Sequence, residues 1–195
     1  EIGSGNIEKG LDYFENSENA KRLGYISQNH LGLALALVGN FEKADFILSN
    51  TSNGASIDRR DMAIAHAQIM AQLGKNKEAV KMLDKFLVGN ENNKMSKLRR
   101  AIDAGAPVSF DYLSSPKEGA ALALYTIAKA INKEDDYSRS LIYAQLVSHI
   151  NNNNPKNILL ISENLVKLKQ YELAIENYAK IPLDHLQYNN AEVGR

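Results

Sequence analysis

Apolar residues recur along most of the chain at the three- and four-residue spacing that places them on one side of an α-helix. Met70 and Leu73 have this spacing in one stretch, and Leu122 and Tyr125 have it in another. The pattern predicts ten helices, near residues 6–16, 24–38, 41–50, 57–73, 76–88, 94–104, 116–132, 135–150, 155–168 and 171–181.

Capping signals mark where two of these helices begin. Ser115, Pro116 and Glu118 combine an N-cap serine, a proline at the first helical position and a glutamate placed for a capping box. Asn154 and Pro155 repeat the order of cap and proline, after a run of asparagines that favours a loop. The chain therefore has the pattern of an all-α protein.

A six-residue block recurs along the chain, which indicates an internal repeat. The block Gly5–Gly10 returns at 39–44, 34 residues later, and at 74–79 after a further 35 residues. Related blocks occupy 135–140 and 169–174, which are again 34 residues apart.

The spacing of the blocks is broken once. Ala79 and Ser140, which end the third and fourth blocks, lie 61 residues apart, whereas one repeat takes 34 or 35. We predict an irregular insertion at about 89–115. It should contain a short helix around Lys94 to Ala104, followed by an extended linker over residues 105–110.

Each block ends in a small residue, and the first three blocks begin with glycine. Small residues let two antiparallel helices approach to about 8–10 Å, so we predict that they lie where helices cross. These residues are Gly10, Ala44, Ala79, Ser140 and Ala174. Gly5, Gly39 and Gly74 fit turns in which the residue after a helix takes a positive φ.

The small positions and the apolar positions around them resemble the tetratricopeptide repeat (TPR) pattern. The four full repeats match it at Gln28, Leu31, Gly32, Leu35, Ala44 and Leu48; at Ala63, His66, Ala67, Met70, Ala79, Leu83 and Phe86; at Leu124, Ile127, Ala128, Ile131, Ser140, Ala144 and Val147; and at Ile158, Ile161, Ser162, Leu165, Ala174, Tyr178 and Ile181. The chain lacks the aromatic residue with which the family opens its first helix, and His66 stands where leucine is expected.

The resemblance implies an all-α, TPR-like right-handed α-solenoid of antiparallel helix pairs, which forms one domain over residues 1–195. A partial repeat is expected at 1–20, and full repeats at about 25–55, 60–90, 121–154 and 155–188. In the family the first helices line a concave surface. Carrying its groove positions onto this chain gives the candidate partner-binding residues Asn29, Leu33, Asp61, Ile64, Gln68, Gln72, Tyr125, Lys129, Lys133, Lys156, Glu163 and Lys167.

The stretch Ser115–Ala120 and the insertion before it resemble long TPR proteins of alphaproteobacteria. Many of that group look like exported or lipid-anchored envelope proteins, so the resemblance implies the bacterial periplasm or envelope, and the cytoplasm stays open as an alternative. The chain opens inside a repeat with Glu1 rather than methionine, and it ends where another first helix is expected. We therefore expect it to be a piece of a longer protein.

The balance of charge bears on the partner. Lys and Arg total 23, as do Asp and Glu, so the formal net charge is zero. A nucleic-acid binder needs a basic excess to displace counterions from phosphates, and no nucleic acid is expected as a partner.

The longest apolar run, Leu31–Gly39, is about half of the roughly 20 residues that a membrane helix needs, so we expect no membrane span.

No motif in the sequence predicts catalysis. Cysteine is absent, and neither a nucleophile elbow nor a phosphate-binding loop occurs. The histidines lie too far apart for metal spacing on a helix; they are His30, His66, His149 and His185. We expect no enzyme activity, no metal and no cofactor. His66 is predicted to pack on the inward face of its helix, and Asp135 and Asp136 to cap a helix.

The function that follows is that of a protein-interaction or scaffold module, which binds a peptide or partner protein through the concave surface. One subclass of the family binds the C-termini of chaperones through a lysine and an asparagine. The corresponding residues here are Asn29 and Leu33, so we do not expect this chain to bind chaperones in that way. Tyr125, Lys129 and Lys133 recur at a spacing of four and suit an acidic or extended peptide. Two alternatives stay open, a docking or oligomerisation part of a larger enzyme or envelope assembly and an RNA-binding helical repeat. A homo-oligomer stays open as well.

Overall fold

Helices are the sole regular secondary structure in the part of the chain that the structure describes. A computed structural model describes residues 5–16, 24–51, 58–87, 94–151 and 154–181; His185 and parts of the predicted repeats lie outside the described residues. The described ranges hold no strand and ten helices, namely α1 (Ile7–Asn16), α2 (Tyr25–Leu37), α3 (Phe41–Asn50), α4 (Arg59–Gln72), α5 (Asn76–Asp84), α6 (Lys94–Asp103), α7 (Pro116–Asn132), α8 (Tyr137–Ile150), α9 (Pro155–Lys167) and α10 (Tyr171–Tyr178). The predicted all-α class is confirmed. None of these ten helices is both long and apolar enough to cross a membrane.

Two helices end earlier than predicted, α5 at Asp84 rather than residue 88 and α10 at Tyr178 rather than residue 181. In both, the chain tightens after the last α-helical turn. Phe86 N donates to Leu83 O at 2.9 Å, and Ile181 N donates to Tyr178 O at 3.1 Å. Such bonds between residues three apart are common where α-helices end.

Side-chain caps set the starts of α7 and α8. Ser115 Oγ accepts from Glu118 N at 3.2 Å, as predicted. The Glu118 carboxylate accepts from Ser114 N at 2.8 Å, one residue before the serine that a capping box would return to. Asp136 Oδ1 accepts from Arg139 N at 3.0 Å. Because Asp136 is the cap, α8 begins two residues later than predicted.

The five repeated blocks share one backbone conformation at their first residue. Gly5, Gly39 and Gly74 have φ values of 85°, 82° and 71°, as predicted for these turns. In the later blocks Asp135 and Lys169 take the same left-handed conformation, with φ of 61° and 60°. This conformation costs a non-glycine residue about 1–2 kcal/mol. The backbone path therefore repeats even where the glycine is absent.

The small residue that ends each block is buried, as predicted. These residues are Gly10, Ala44, Ala79, Ser140 and Ala174. Gly32 on α2 marks a further close approach, because a Cβ added there would lie 2.6 Å from Leu48 Cδ2 on α3. A side chain at this position would therefore force Leu48 to move.

The chain divides into two compact units between Gly119 and Ala120, within α7. Unit 1 contains two apolar clusters, one built mainly from α2 and α3 and one from α4, α5 and α6. In the second, Met95 and Ile102 of α6 pack with Ala79 of α5. The predicted insertion thus contains the predicted helix, which adds to the core of unit 1. Unit 2 contains one apolar cluster from α7 to α10, which also includes Ile181 after α10.

Buried amides and hydroxyls link the helices of unit 2. Asn132 Nδ2 donates to Asn164 Oδ1 at 2.7 Å, and Asn164 Nδ2 donates to Ser140 Oγ at 2.8 Å. The Ser140 hydroxyl in turn donates to the carbonyl oxygen of Ala128 at 2.9 Å. The chain of bonds joins α7, α8 and α9. A buried polar network in which each member is paired favours one helix register over others.

Candidate functional site

The twelve candidate partner-binding residues fall into three groups. Asn29 and Leu33 lie on α2. Asp61, Ile64, Gln68 and Gln72 lie on α4. The other six lie in unit 2, on or directly beside α7 and α9, and they are Tyr125, Lys129, Lys133, Lys156, Glu163 and Lys167. Each group has a different environment.

Four of the candidates are buried in unit 1, among them Gln68, which is 3% exposed. Leu33 is 1% exposed, and Asn29 and Ile64 are each 9% exposed. Ile64 belongs to the apolar cluster of α4, α5 and α6. These side chains present almost no surface to a ligand. Their direction depends on the rotation of α2 and α4 about their axes, which the repeat pattern does not fix to the nearest residue.

Two glutamines of α4 hold an extended segment of the chain itself. Gln68 Oε1 accepts from the main-chain N–H groups of Asp111 and Tyr112, both at 3.1 Å. Gln68 Nε2 donates to a carboxylate oxygen of Asp111, and Gln72 Nε2 donates to the carbonyl oxygen of Val108. The main chain that these α4 amides bind belongs to the predicted insertion.

The residues that follow α6 cross α4 without regular secondary structure and bend at Tyr112. We call residues 107–113 the docked segment. Val108, Phe110 and Tyr112 are half-buried, whereas Ser109 and Asp111 between them are exposed. From residue 107 to residue 112, side chains are thus alternately exposed and half-buried.

The inward side chains of the docked segment contact both apolar clusters of unit 1. Val108 and Tyr112 pack against the cluster of α4, α5 and α6. Phe110 packs edge-on against Phe41, with ring centroids 6.3 Å apart and an interplanar angle of 61°. Burial raises the pKa of the Tyr112 hydroxyl above its usual range, and the carboxylate of Asp61 adds to the rise. The sequence carries a signal for this segment, the alternation of apolar and polar residues from Val108 to Tyr112.

The six candidates in unit 2 form what we call the lysine face, defined as Tyr125, Lys129, Lys133, Lys156, Glu163 and Lys167. Lys129 Nζ lies 5.8 Å from the centroid of the Tyr125 ring, within the range of a cation–π contact. Lys129 also acts electrostatically on Glu163 of α9. The structure therefore brings the α7 and α9 candidates into one neighbourhood, beside the bond from Asn132 to Asn164.

The α9 part of the lysine face is a single stripe. Lys156, Glu163 and Lys167 are seven and four residues apart, which places them on one side of a helix. At 1.5 Å per residue, Lys156 lies about 10 Å along the axis from Glu163. Burial raises the pKa of Glu163, although Lys129 opposes the rise. Lys167 Nζ lies 5.9 Å from the centroid of the Tyr137 ring.

A second polar cluster, which the sequence analysis missed, lies inside unit 1. Asp45 of α3 accepts from His66 Nε2 at 2.7 Å and from Lys75 Nζ at 2.5 Å. Ser49 Oγ donates to the same carboxylate at 3.5 Å. His66 is buried, which confirms its predicted inward position. The cluster joins α3, α4 and the turn before α5. The only sequence signal is that Asp45 and His66 each adjoin a small position of the repeat.

The cluster around Asp45 holds charge in place. Burial opposes ionisation of Asp45, but the hydrogen bonds from Lys75 and His66 outweigh it, so its pKa is lowered. Burial lowers the pKa of His66 more than the carboxylate of Asp45 raises it. Ser49 bonds to Asp45 rather than to the imidazole. A serine nucleophile needs its hydroxyl on the histidine, so this arrangement orients helices and does not activate Ser49.

Groups of three His, Asp or Glu side chains placed to hold a metal ion do not occur within the described ranges.

Comparison of the chain with protein-family models, with curated proteins and with solved structures finds no match. The geometry of the helix pairs and of their two candidate surfaces is therefore the basis for assigning a function.

Proposed function

We propose that the chain is a helical-repeat module of the tetratricopeptide type, stacked as a right-handed solenoid, which binds a partner protein. Its contact surface is the lysine face, and the ligand is an extended acidic peptide segment of the partner. Support for the repeat comes from the buried small residues and from the recurring left-handed turns that begin at Gly39, Gly74, Asp135 and Lys169.

The observation that carries the proposal is the charge of the lysine face. It combines four lysines with one glutamate, in a chain whose formal net charge is zero. A surface of one dominant sign attracts a ligand of the opposite sign and raises the rate of encounter.

The two parts of the face supply different interactions. The ammonium groups of Lys133 and Lys167 are on exposed side chains and can meet carboxylates along an extended ligand. Tyr125 adds flat contact area beside Lys129, as aromatic residues commonly do at interfaces. Because each exposed charge pair contributes only about 0.2–1 kcal/mol, binding depends on several pairs at once. Affinity is therefore expected to fall steeply with salt.

A peptide array tests the proposal. The labelled chain should bind peptides enriched in Asp and Glu, and binding should weaken as salt rises from about 0.05 to 0.5 M. The double variant Lys129→Glu and Lys133→Glu should lose these peptides. The matched control is Lys117→Glu and Lys180→Glu, which makes the same change of charge at exposed positions outside the face, and it should keep them.

Three outcomes of the array experiment contradict the proposal. The first is a set of bound peptides without acidic enrichment. The second is equal loss of binding in both double variants, which would indicate a response to total charge alone. The third is preference for a single-stranded RNA probe over acidic peptides, which would favour the RNA-binding alternative.

A further inference from the structure

The docked segment has the features of a bound ligand. Its main-chain groups are held by the side-chain amides of Gln68 and Gln72, which bond to N–H and C=O groups present in any peptide. Main-chain bonds give affinity to an extended peptide, while pockets for alternate side chains give specificity. One further bond is specific to sequence, from Gln68 to the Asp111 carboxylate.

The surface below the docked segment receives side chains at every second position. Val108 and Tyr112 enter the cluster of α4, α5 and α6, and Phe110 reaches Phe41 at the start of α3. All three remain half-buried rather than enclosed. The surface thus has three adjoining apolar contact sites, spaced for the alternate side chains of an extended chain.

The segment is also held covalently and by packing at its two ends. At one end Ala106 N donates to Ala101 O at 2.9 Å, after Gly105 with φ of 67°. At the other end Leu113 is buried, with an exposed fraction of 7%. Such tethering gives the segment a high effective concentration at the α4 surface. A peptide in solution competes with it only when the tethered contacts are weakened.

We propose that α4 carries a second peptide-binding site, which the docked segment fills as an intramolecular ligand. The site takes an extended peptide with apolar or aromatic side chains at alternate positions, and such a segment of a partner protein binds when it replaces residues 107–113. This site is in unit 1 and differs from the lysine face in its ligand chemistry, so either proposal can fail alone.

Binding in trans tests the proposal directly. The probe is a fluorescent synthetic peptide with the sequence of residues 105–114, added to the full chain. In the double variant Phe110→Ala and Tyr112→Ala, the tethered segment loses two of its three inward contacts. The peptide should then bind about tenfold or more tightly than to the unaltered chain. Adding Gln68→Ala to this variant should remove the gain, because the two main-chain bonds are lost.

A matched peptide controls for general stickiness of the opened surface. It has the same composition, but each apolar residue changes places with a neighbouring polar residue. The residues that correspond to Val108, Phe110 and Tyr112 then fall on the outward face. It should bind the opened variant no better than the unaltered chain does. Equal binding of both peptides would contradict a site that reads alternate positions. Equal affinity of the original peptide for the unaltered and opened chains would also overturn the proposal.

A measurement on the unaltered chain covers the case in which the double variant does not fold. The amide N–H groups of Asp111 and Tyr112 are bonded to the Gln68 side chain. If the segment is a replaceable ligand, these two amides should exchange with solvent by local opening, at least about tenfold faster than the interior amides of α4. Exchange of the two amides at the same rate as α4, through global unfolding alone, would identify a permanent part of the core and overturn the proposal.

Discussion

The two units bury polar side chains of different chemistry between similar helix pairs. In unit 1 the interior contains an ionised cluster, in which Asp45 is bonded to His66 and Lys75. In unit 2 the corresponding links are neutral, with Asn164 bonded to Asn132 and Ser140. The comparison distinguishes the steric requirement for close helix packing from the requirement that buried polar groups be paired. Small residues and left-handed turns recur in both units, whereas the groups that pair in the interior do not.

Small residues recur because two helix backbones can approach closely only where the side chain is small. Buried polar pairs vary because any hydrogen-bonded pairing offsets the free-energy cost of burying polar groups. The chemistry chosen then decides how each unit responds to pH. A cluster of ionisable groups gains or loses protons on unfolding, and an amide–hydroxyl network does not. Unit 1 should therefore respond to acid through its histidines, and unit 2 should respond mainly to loss of individual hydrogen bonds.

The largest expected effect is in unit 2, from Asn164→Ala. The change leaves a cavity and removes the partners of Asn132 and Ser140, so we expect the free energy of unfolding to fall by about 2–4 kcal/mol. Urea denaturation followed by circular dichroism measures it. Asn177→Ala is the matched control, because its amide makes local bonds to Leu173 O and Lys180 Nζ and links no two helices. A loss no larger than that of the control would contradict the role of the network.

The next effect is acid sensitivity in unit 1, centred on His30 of α2. Burial lowers its pKa from 6.5 to about 4. Between these values the unfolded state binds the proton and the folded state does not, so stability is complete above pH 6.5 and falls as pH decreases toward 4. The full difference is roughly 3 kcal/mol. Glu163 in unit 2, with its raised pKa, acts in the opposite direction.

Hydrogen exchange with mass spectrometry, corrected for intrinsic rates, can follow the two units separately between pH 7 and pH 5. Unit 1 should lose protection and unit 2 should not. His30→Leu should remove most of the loss, because leucine fills a similar volume and does not titrate. An equal loss in both units, or the same loss in the variant, would contradict the comparison.

A smaller effect tests the steric rule that the units share. In Gly32→Ala the new Cβ would meet Leu48 at 2.6 Å, so the variant should lose about 1–2 kcal/mol of stability after the gain in helix propensity. Gly119→Ala is the matched change, because its Cβ would lie at an ordinary 3.8 Å from Leu113. It should gain up to about 1 kcal/mol. Thermal unfolding distinguishes the two, and a stabilising Gly32→Ala would show that the α2–α3 crossing is looser than described.

The smallest effect concerns the shared turn. Lys169 has φ of 60°, where glycine is favoured, so Lys169→Gly should raise the free energy of unfolding by roughly 0.5–1 kcal/mol. Gly39→Ala is the reverse change at the equivalent position. A Cβ there has nothing within 4 Å, so only backbone strain is tested. It should lower stability by about 1 kcal/mol. Changes of the same sign in both variants would mean that the turns are not equivalent.

The helices, the helix crossings and the glycine turns could be predicted because each depends on residues close in sequence. Lys169 shows the limit of that reasoning, since lysine does not indicate a left-handed turn, whereas aspartate, present at Asp135, adopts that conformation more readily. The burial of Asn29 and Leu33 depends on helix rotation, and the bond from His66 to Asp45 depends on packing between residues far apart. The docking of residues 107–113 on α4 is likewise a tertiary contact. On α7, the spacing of four predicted that Tyr125 and Lys129 share one side of the helix, and Lys129 Nζ lies 5.8 Å from the Tyr125 ring centroid.

Zero-length cross-linking tests the functional account most directly. A carbodiimide joins carboxylates of a bound acidic peptide to lysine amines in contact with them, and mass spectrometry then locates the joined lysines. The account predicts amide bonds at Lys129, Lys133, Lys156 or Lys167 that disappear at about 0.5 M salt, where exposed charges are screened. Predominant joining to exposed lysines of unit 1, such as Lys43 or Lys81, or equal joining throughout the chain, would contradict it.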